Sequence, residues 1–154
     1  MKFVTVDTRS QPMLYVTRST SMDPQEIAGV TGEAFGAIGA FIGQAGVTPA
    51  GPPIAVYRDW DGGKMKVDIG FPVAGAEIAK AQGEVQAGYT PSGKAIKAVH
   101  RGPYARLRET YGAMENYMSK AGYAMPPLAW EVYVNDPDTT PEADLVTEIY
   151  MPVV

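Results

Sequence analysis

The last third of each half of the chain repeats. Ala45 and Gly46, then Pro52 to Tyr57, then Val67 to Val73 return as Ala121 and Gly122, then Pro126 to Leu128 with Trp130 to Tyr133, then Thr147 to Val153. The separation is 76 positions at Gly46/Gly122 and at Tyr57/Tyr133, 74 at the prolines and 80 at the closing Pro-Val, so the drift falls in loops. Two copies are too few for a solenoid, which needs about three stacked units. The economical reading is a single domain, residues 1–154, made of two similar modules at roughly 1–75 and 84–154. Function is then to be sought where the copies differ.

A chain of 154 residues buries a core without covalent staples. It has no Cys and one His, which argues against disulfides, thiolate catalysis and a Cys or multi-His metal site; neither metal nor cofactor is expected. A formal charge of −4 and a pI near 5.0 speak against a surface that tracks phosphates, so no direct nucleic-acid partner is expected. No basic start leads into an apolar run, and no stretch approaches the roughly 18 apolar residues of a membrane span. A cytoplasmic protein with no membrane contact is the default expectation.

Strand signals cover Lys2 to Val6 and Met13 to Thr17. Asp23, Pro24 and Glu26 then announce a helix that Gly46 ends, with Ile27, Val30, Phe35, Ile38, Phe41 and Ile42 on its core face. Ile54 to Arg58 and Met65 to Phe71 read as a hairpin around Asp61 to Gly63. Val85 to Tyr89 and Lys94 to His100 read as a further strand pair. A second helix opens at Gly102 and Pro103, carries Tyr104, Leu107, Tyr111, Met114 and Met118 at helical spacing, and ends at Gly122. Leu128 to Val134 and Leu145 to Met151 close the chain as a hairpin. The expected fold is therefore α+β: two pseudo-symmetric ββαββ modules forming a mostly antiparallel sheet of about eight strands, with two helices on one face and a central cleft.

Successive strand side chains alternate between faces, which groups Glu131, Tyr133, Glu148 and Tyr150 opposite a more apolar set containing Trp130, Val132 and Ile149. In the first module the corresponding face carries Ala55, Tyr57, Lys66, Asp68 and Gly70. Ala55 has thus become Glu131, and Gly70 has become Tyr150. A carboxylate at position 131 either lies on an open face, paired with Lys66, Lys97 or Arg101, or is desolvated and needs a partner or ligand. Tyr57, Tyr133 and Tyr150 share its inferred face. Tyr104 begins a helix at a loop mouth, Tyr111 lies on the core stripe, and Trp60 at a hairpin tip is a lid or a surface ring. His100 reads as a hydrogen-bonded turn residue before a general base. Gly29, Gly32, Gly36, Gly39 and Gly43 form a stripe away from the core face; it offers close packing in a homodimer, or marks a weak exposed helix.

The ordered set His100, Gly102, Pro103, Tyr104, Leu107, Thr110, Tyr111, then Gly122 and Tyr123, then Trp130 to Tyr133 with Asn135, Asp136 and Pro137, then Thr147, Glu148, Ile149 and Pro152, resembles the GyrI-like (gyrase-inhibitor-like) small-molecule-binding domain, the effector-binding module of AraC-type and MerR-type transcription regulators. The resemblance spans essentially the whole chain. It implies a cleft that binds hydrophobic, often cationic, small molecules, with Glu131 at its floor and Tyr133, Tyr150, Tyr57, Tyr104 and Trp60 as ligand-binding candidates. No helix-turn-helix precedes the first strand, so a stand-alone member is expected. The resemblance also implies two alternatives: a hydrolase of strained hydrophobic natural products, with Glu131 and Tyr104 or Tyr133 at work, and a protein-binding inhibitor. A related haem-binding fold, with His100 as ligand, is a weaker thought.

Overall fold

Asp23 accepts a hydrogen bond from the Glu26 backbone N–H at 3.2 Å, Pro24 occupies the first turn, and Gly46 closes the helix in the left-handed conformation at φ 67°. Helix α1 accordingly runs Pro24–Ala45, between the boundaries its sequence predicts. The computed structural model describes residues 2–153. Within them the strands are β1 (Phe3–Thr8), β2 (Pro12–Ser21), β3 (Ile54–Asp61), β4 (Lys64–Pro72), β5 (Gln86–Tyr89), β6 (Gly93–Arg101), β7 (Leu128–Tyr133) and β8 (Val146–Pro152), and the second long helix is α2 (Leu107–Lys120). A short 3-10 turn, Tyr104–Arg106, leads into α2.

The strands form one antiparallel sheet in the order β1-β6-β8-β7-β3-β4-β2-β5. Exchanging each strand for its repeat counterpart reproduces this order in reverse, so the sheet has a pseudo-two-fold axis between β3 and β7. The expected pairing of Val85 to Tyr89 with Lys94 to His100 does not occur. Instead β5 pairs with β2, and β6 pairs with β1 and β8; each module lends its first strand to the other.

That exchange bends the sheet. Three residues, Arg9 to Gln11, join β1 to β2 and reach about 14 Å, whereas the six inter-strand steps between them would span about 29 Å if flat. The sheet must therefore curl. At the end of the β2–β5 ladder the Thr90 backbone N–H donates to the Gln11 carbonyl at 2.8 Å, and the Gln11 N–H donates to Thr90 Oγ1 at 2.8 Å. Met13 of β2 and Ala95 of β6 thereby join one buried cluster with Ile54, Val56 and Trp130 on the face away from the helices.

Both helices pack on the other face. Ala34, Ile38 and Ile42 of α1 cover Leu14, Val16, Ala55, Tyr57, Val67 and Ile69. Met114 and Met118 of α2 cover Ile96, Ala98, Ala129, Ile149 and Met151. The central strands are thus buried on both sides, which is why Ile54 to Tyr57 are all buried.

Strand register corrects the expected faces. Asp68 pairs with Val56, Lys66 with Arg58 and Gly70 with Ile54, so Lys66, Asp68 and Gly70 lie opposite Ala55 and Tyr57. Asp68 binds Arg58 at 2.7 Å, and its repeat counterpart Glu148 binds Lys97 at 3.1 Å; both matched carboxylates are spent on cross-strand cations. Gly70 is small because a Cβ there would collide with the Leu14 carbonyl oxygen. The glycines of α1 have a different setting: a Cβ at Gly29, Gly32, Gly36, Gly39 or Gly43 would meet nothing within 4 Å.

Candidate functional site

Glu131 sits in the middle of β7, beside the pseudo-two-fold axis, and is only 3% exposed. Across the β3–β7 pair it faces Ala55, while Tyr57 and Tyr133, which are counterparts in the repeat, flank it on the same face. The Tyr133 hydroxyl donates to Glu131 Oε1 at 2.5 Å. From above, the Tyr111 hydroxyl of α2 donates to Oε2 at 2.6 Å. The Tyr133 ring is held edge-on between Phe35 of α1, at 5.4 Å and 84°, and Tyr104 before α2, at 5.6 Å and 75°. The site therefore lies where the two modules meet, between Phe35 of α1 and Tyr104 and Tyr111 of the second module, and these rings pack over it.

Its electrostatics follow from burial. Desolvation raises the Glu131 pKa, and hydrogen bonds from Tyr111 and Tyr133, with smaller contributions from His100 and Tyr57, partly oppose the rise. The phenols respond in kind: burial, then the Glu131 charge, pushes Tyr111, Tyr133 and Tyr57 well above the usual tyrosine range. Tyr104 is raised by burial and by Asp136 and Glu131. Protonated phenols are thus the donors that support the carboxylate. Among the described residues no Lys, Arg or His forms an ion pair with Glu131; Lys97 is taken by Glu148 and Lys66 lies on the other face.

Of the expected site residues, the structure brings together Glu131, Tyr133, Tyr57 and Tyr104. Tyr150 departs from expectation. Register pairs it with Trp130, and Glu131 with Ile149, so Tyr150 points to the opposite face, where it stacks on Trp130 at 5.2 Å and 8° and donates to Glu148 at 2.9 Å. The physical reason is parity: a one-residue change of register moves a side chain to the other face. Trp60 stands 39% exposed at its hairpin tip, outside the buried clusters. The residue that sequence reasoning placed in the core and the structure places at the carboxylate is Tyr111. A phenol on a buried helical stripe requires an acceptor for its hydroxyl, and that requirement was the available signal.

His100 is buried, with Nδ1 2.8 Å from Thr110 Oγ1 and Nε2 3.1 Å from the Pro103 carbonyl. The carbonyl only accepts, so Nε2 carries a proton and donates to it, while Nδ1 and the Thr110 hydroxyl share the other hydrogen bond. Both nitrogens are occupied, in keeping with a turn-anchoring role. An open groove of about 540 Å³ over one face of the β1–β6 pair, lined by Lys2, Val4, Val6, Lys97, Val99 and Arg101, belongs to Tyr150's side of the sheet and is separate from Glu131.

Similarity to known proteins agrees with this architecture. The C-terminal domain of EcmrR shares 20% identity and superposes with a TM-score of 0.83 over 99% of this chain and 97% of its own. SAV2435, solved bound to tetraphenylphosphonium, is 16% identical with a TM-score of 0.75 over 100% of this chain and 94% of its own. A hydrolase encoded by lin2189 from Listeria innocua is 15% identical with a TM-score of 0.63, covering 99% and 92%. At such identities the likeness is one of fold. No curated protein sequence matches. The sequence pattern of the GyrI-like small molecule binding domain matches residues 1–154, and the chain belongs to that family.

Proposed function

We propose that this domain binds hydrophobic cations between α1 and α2, with Glu131 as counter-ion. The observation that carries the reading is a carboxylate 3% exposed, held by two phenol donors and lacking a cation. Burying a charge costs several kcal/mol unless it is paired and hydrogen-bonded. Tyr111 keeps its hydrogen bond to the carboxylate, and a ligand cation supplies the pair. Tyrosine faces add cation–π attraction of about 0.5 to 2 kcal/mol each. Because Tyr133 fills the space over Glu131, the ligand enters by moving its ring from between Phe35 and Tyr104. The neighbour SAV2435, solved with a lipophilic cation, supports the same ligand class here.

Isothermal titration of wild type and Glu131→Gln with tetraphenylphosphonium and with neutral triphenylphosphine oxide tests the reading. The Gln variant should lose affinity for the cation selectively, since it keeps shape while deleting the charge. Equal losses for both compounds would overturn it. Multiple turnovers of an ester-bearing or strained compound, abolished in the Gln variant, would instead favour a hydrolase.

A further inference from the structure

Thr147 is fully buried, and among the described residues its Oγ1 has no hydrogen-bond partner. On β8 it pairs with Tyr133 on one side and with His100 on the other, so its side chain lies on the helix-covered face, immediately beside the tyrosine that closes the Glu131 site. The polar groups around it are engaged elsewhere. Both His100 nitrogens are used, the Thr110 hydroxyl is engaged by His100, and the Tyr133 hydroxyl is given to Glu131.

The fold does not require that hydroxyl. The repeat supplies the comparison: Val67 stands opposite Tyr57 as Thr147 stands opposite Tyr133, and it is equally buried. Valine therefore fits the same backbone setting, and a buried hydroxyl without a partner costs free energy that valine would not. Ala55 to Glu131 and Val67 to Thr147 are two polar departures from the first module, and both adjoin Tyr133. When a ligand displaces the Tyr133 ring, Thr147 is the neighbouring sheet residue whose hydroxyl is not engaged within the domain.

We infer that Thr147 is a specificity-determining ligand contact, and that the natural ligand carries a hydroxyl, ether or carbonyl group on its hydrophobic cationic body. The inference rests on the cation-binding reading of Glu131 and extends it to a second recognition point.

The test compares tetraphenylphosphonium with the three hydroxyphenyl(triphenyl)phosphonium isomers on wild type, Thr147→Val and Thr147→Ser. Wild type should bind at least one hydroxyl isomer about fivefold more tightly than the parent cation, the gain of one neutral hydrogen bond. Thr147→Val should erase that preference, leave the parent cation unaffected and melt no lower than wild type; Thr147→Ser should restore the preference. A Thr147→Val protein that melts lower, or that weakens the parent and hydroxyl compounds equally, would overturn the inference, as would a wild type indifferent to every isomer. Diphenylmethanol and diphenylmethane, run alongside, separate the two failures. If the phosphonium cations do not bind through Glu131, the cation reading fails, and a hydroxyl preference for the neutral alcohol that Thr147→Val removes still upholds Thr147, while its absence sinks it.

Discussion

Glu131 pairs across β3 and β7 with Ala55, its own counterpart 76 positions earlier in the chain. Directly opposed residues in an antiparallel pair bring their Cβ atoms to about 5 Å. Two carboxylates there would confront each other in a buried site, where like charges cannot both ionise. The axis that makes the modules similar therefore permits the acid in only one of them. Ala55→Glu should destabilise the domain by about 3 kcal/mol or more at pH 8 and by much less at pH 4, where the carboxyls are neutral. Urea denaturation at the two pH values reads this directly; equal stability at both would contradict the geometry.

Burial raises the Glu131 pKa in the folded state. A raised value means that its contribution to stability is complete below the unfolded pKa of about 4.3 and is lost as pH rises through the folded value. Glu131→Gln should accordingly match wild type near pH 4 and exceed it at pH 8. Denaturant midpoints at pH 4, 6 and 8 that run parallel for the two proteins would refute the shift.

Tyr111 was legible as a core position, yet its hydroxyl is one of two that hold the carboxylate. Tyr111→Phe keeps the ring and removes the donor. It should cost about 1.5 to 3 kcal/mol at pH 8, the range for a hydrogen bond to a charged group, and less at pH 4. A variant as stable as wild type at pH 8 would mean that the phenol contributes packing alone.

The glycine stripe of α1 faces open space at each of its five positions. Replacing Gly36 and Gly39 with Ala should stabilise the domain by about 0.5 to 1 kcal/mol each, because the helix backbone loses freedom in the unfolded chain with no steric cost. Thermal unfolding measures the gain, and analytical ultracentrifugation at matched concentration measures mass. Lower stability with a reduced mass would assign the stripe to a homodimer contact instead.

The helices and most strand limits could be read from the chain, since capping residues, apolar period and turn glycines are local signals. Strand partnership could not. A three-residue connection between Thr8 and Pro12 is compatible with a hairpin, and only the pairing of β1 with β6 and of β5 with β2 reveals that the first strands are exchanged. Face assignment failed at Tyr150 for a related reason. The turn between β7 and β8 is long, and its register is fixed by Asn135, which donates to the Asp144 carbonyl at 2.9 Å and accepts from the Val146 N–H at 2.9 Å. Nothing in the alternation of either strand alone carries that information. Glu131 was legible because a carboxylate between Trp130 and Val132, at a position held by Ala55 in the other copy, is anomalous on local grounds.

The most direct test of the account is the affinity of tetraphenylphosphonium measured from pH 4 to pH 8 on wild type and Glu131→Gln. Pairing with the cation requires ionised Glu131, so wild-type affinity should be highest at pH 8 and fall as acid titrates a carboxylate held above its ordinary range. The Gln variant should bind weakly and equally at every pH. Two superimposable pH profiles, or a wild-type affinity independent of pH, would contradict Glu131 as the counter-ion.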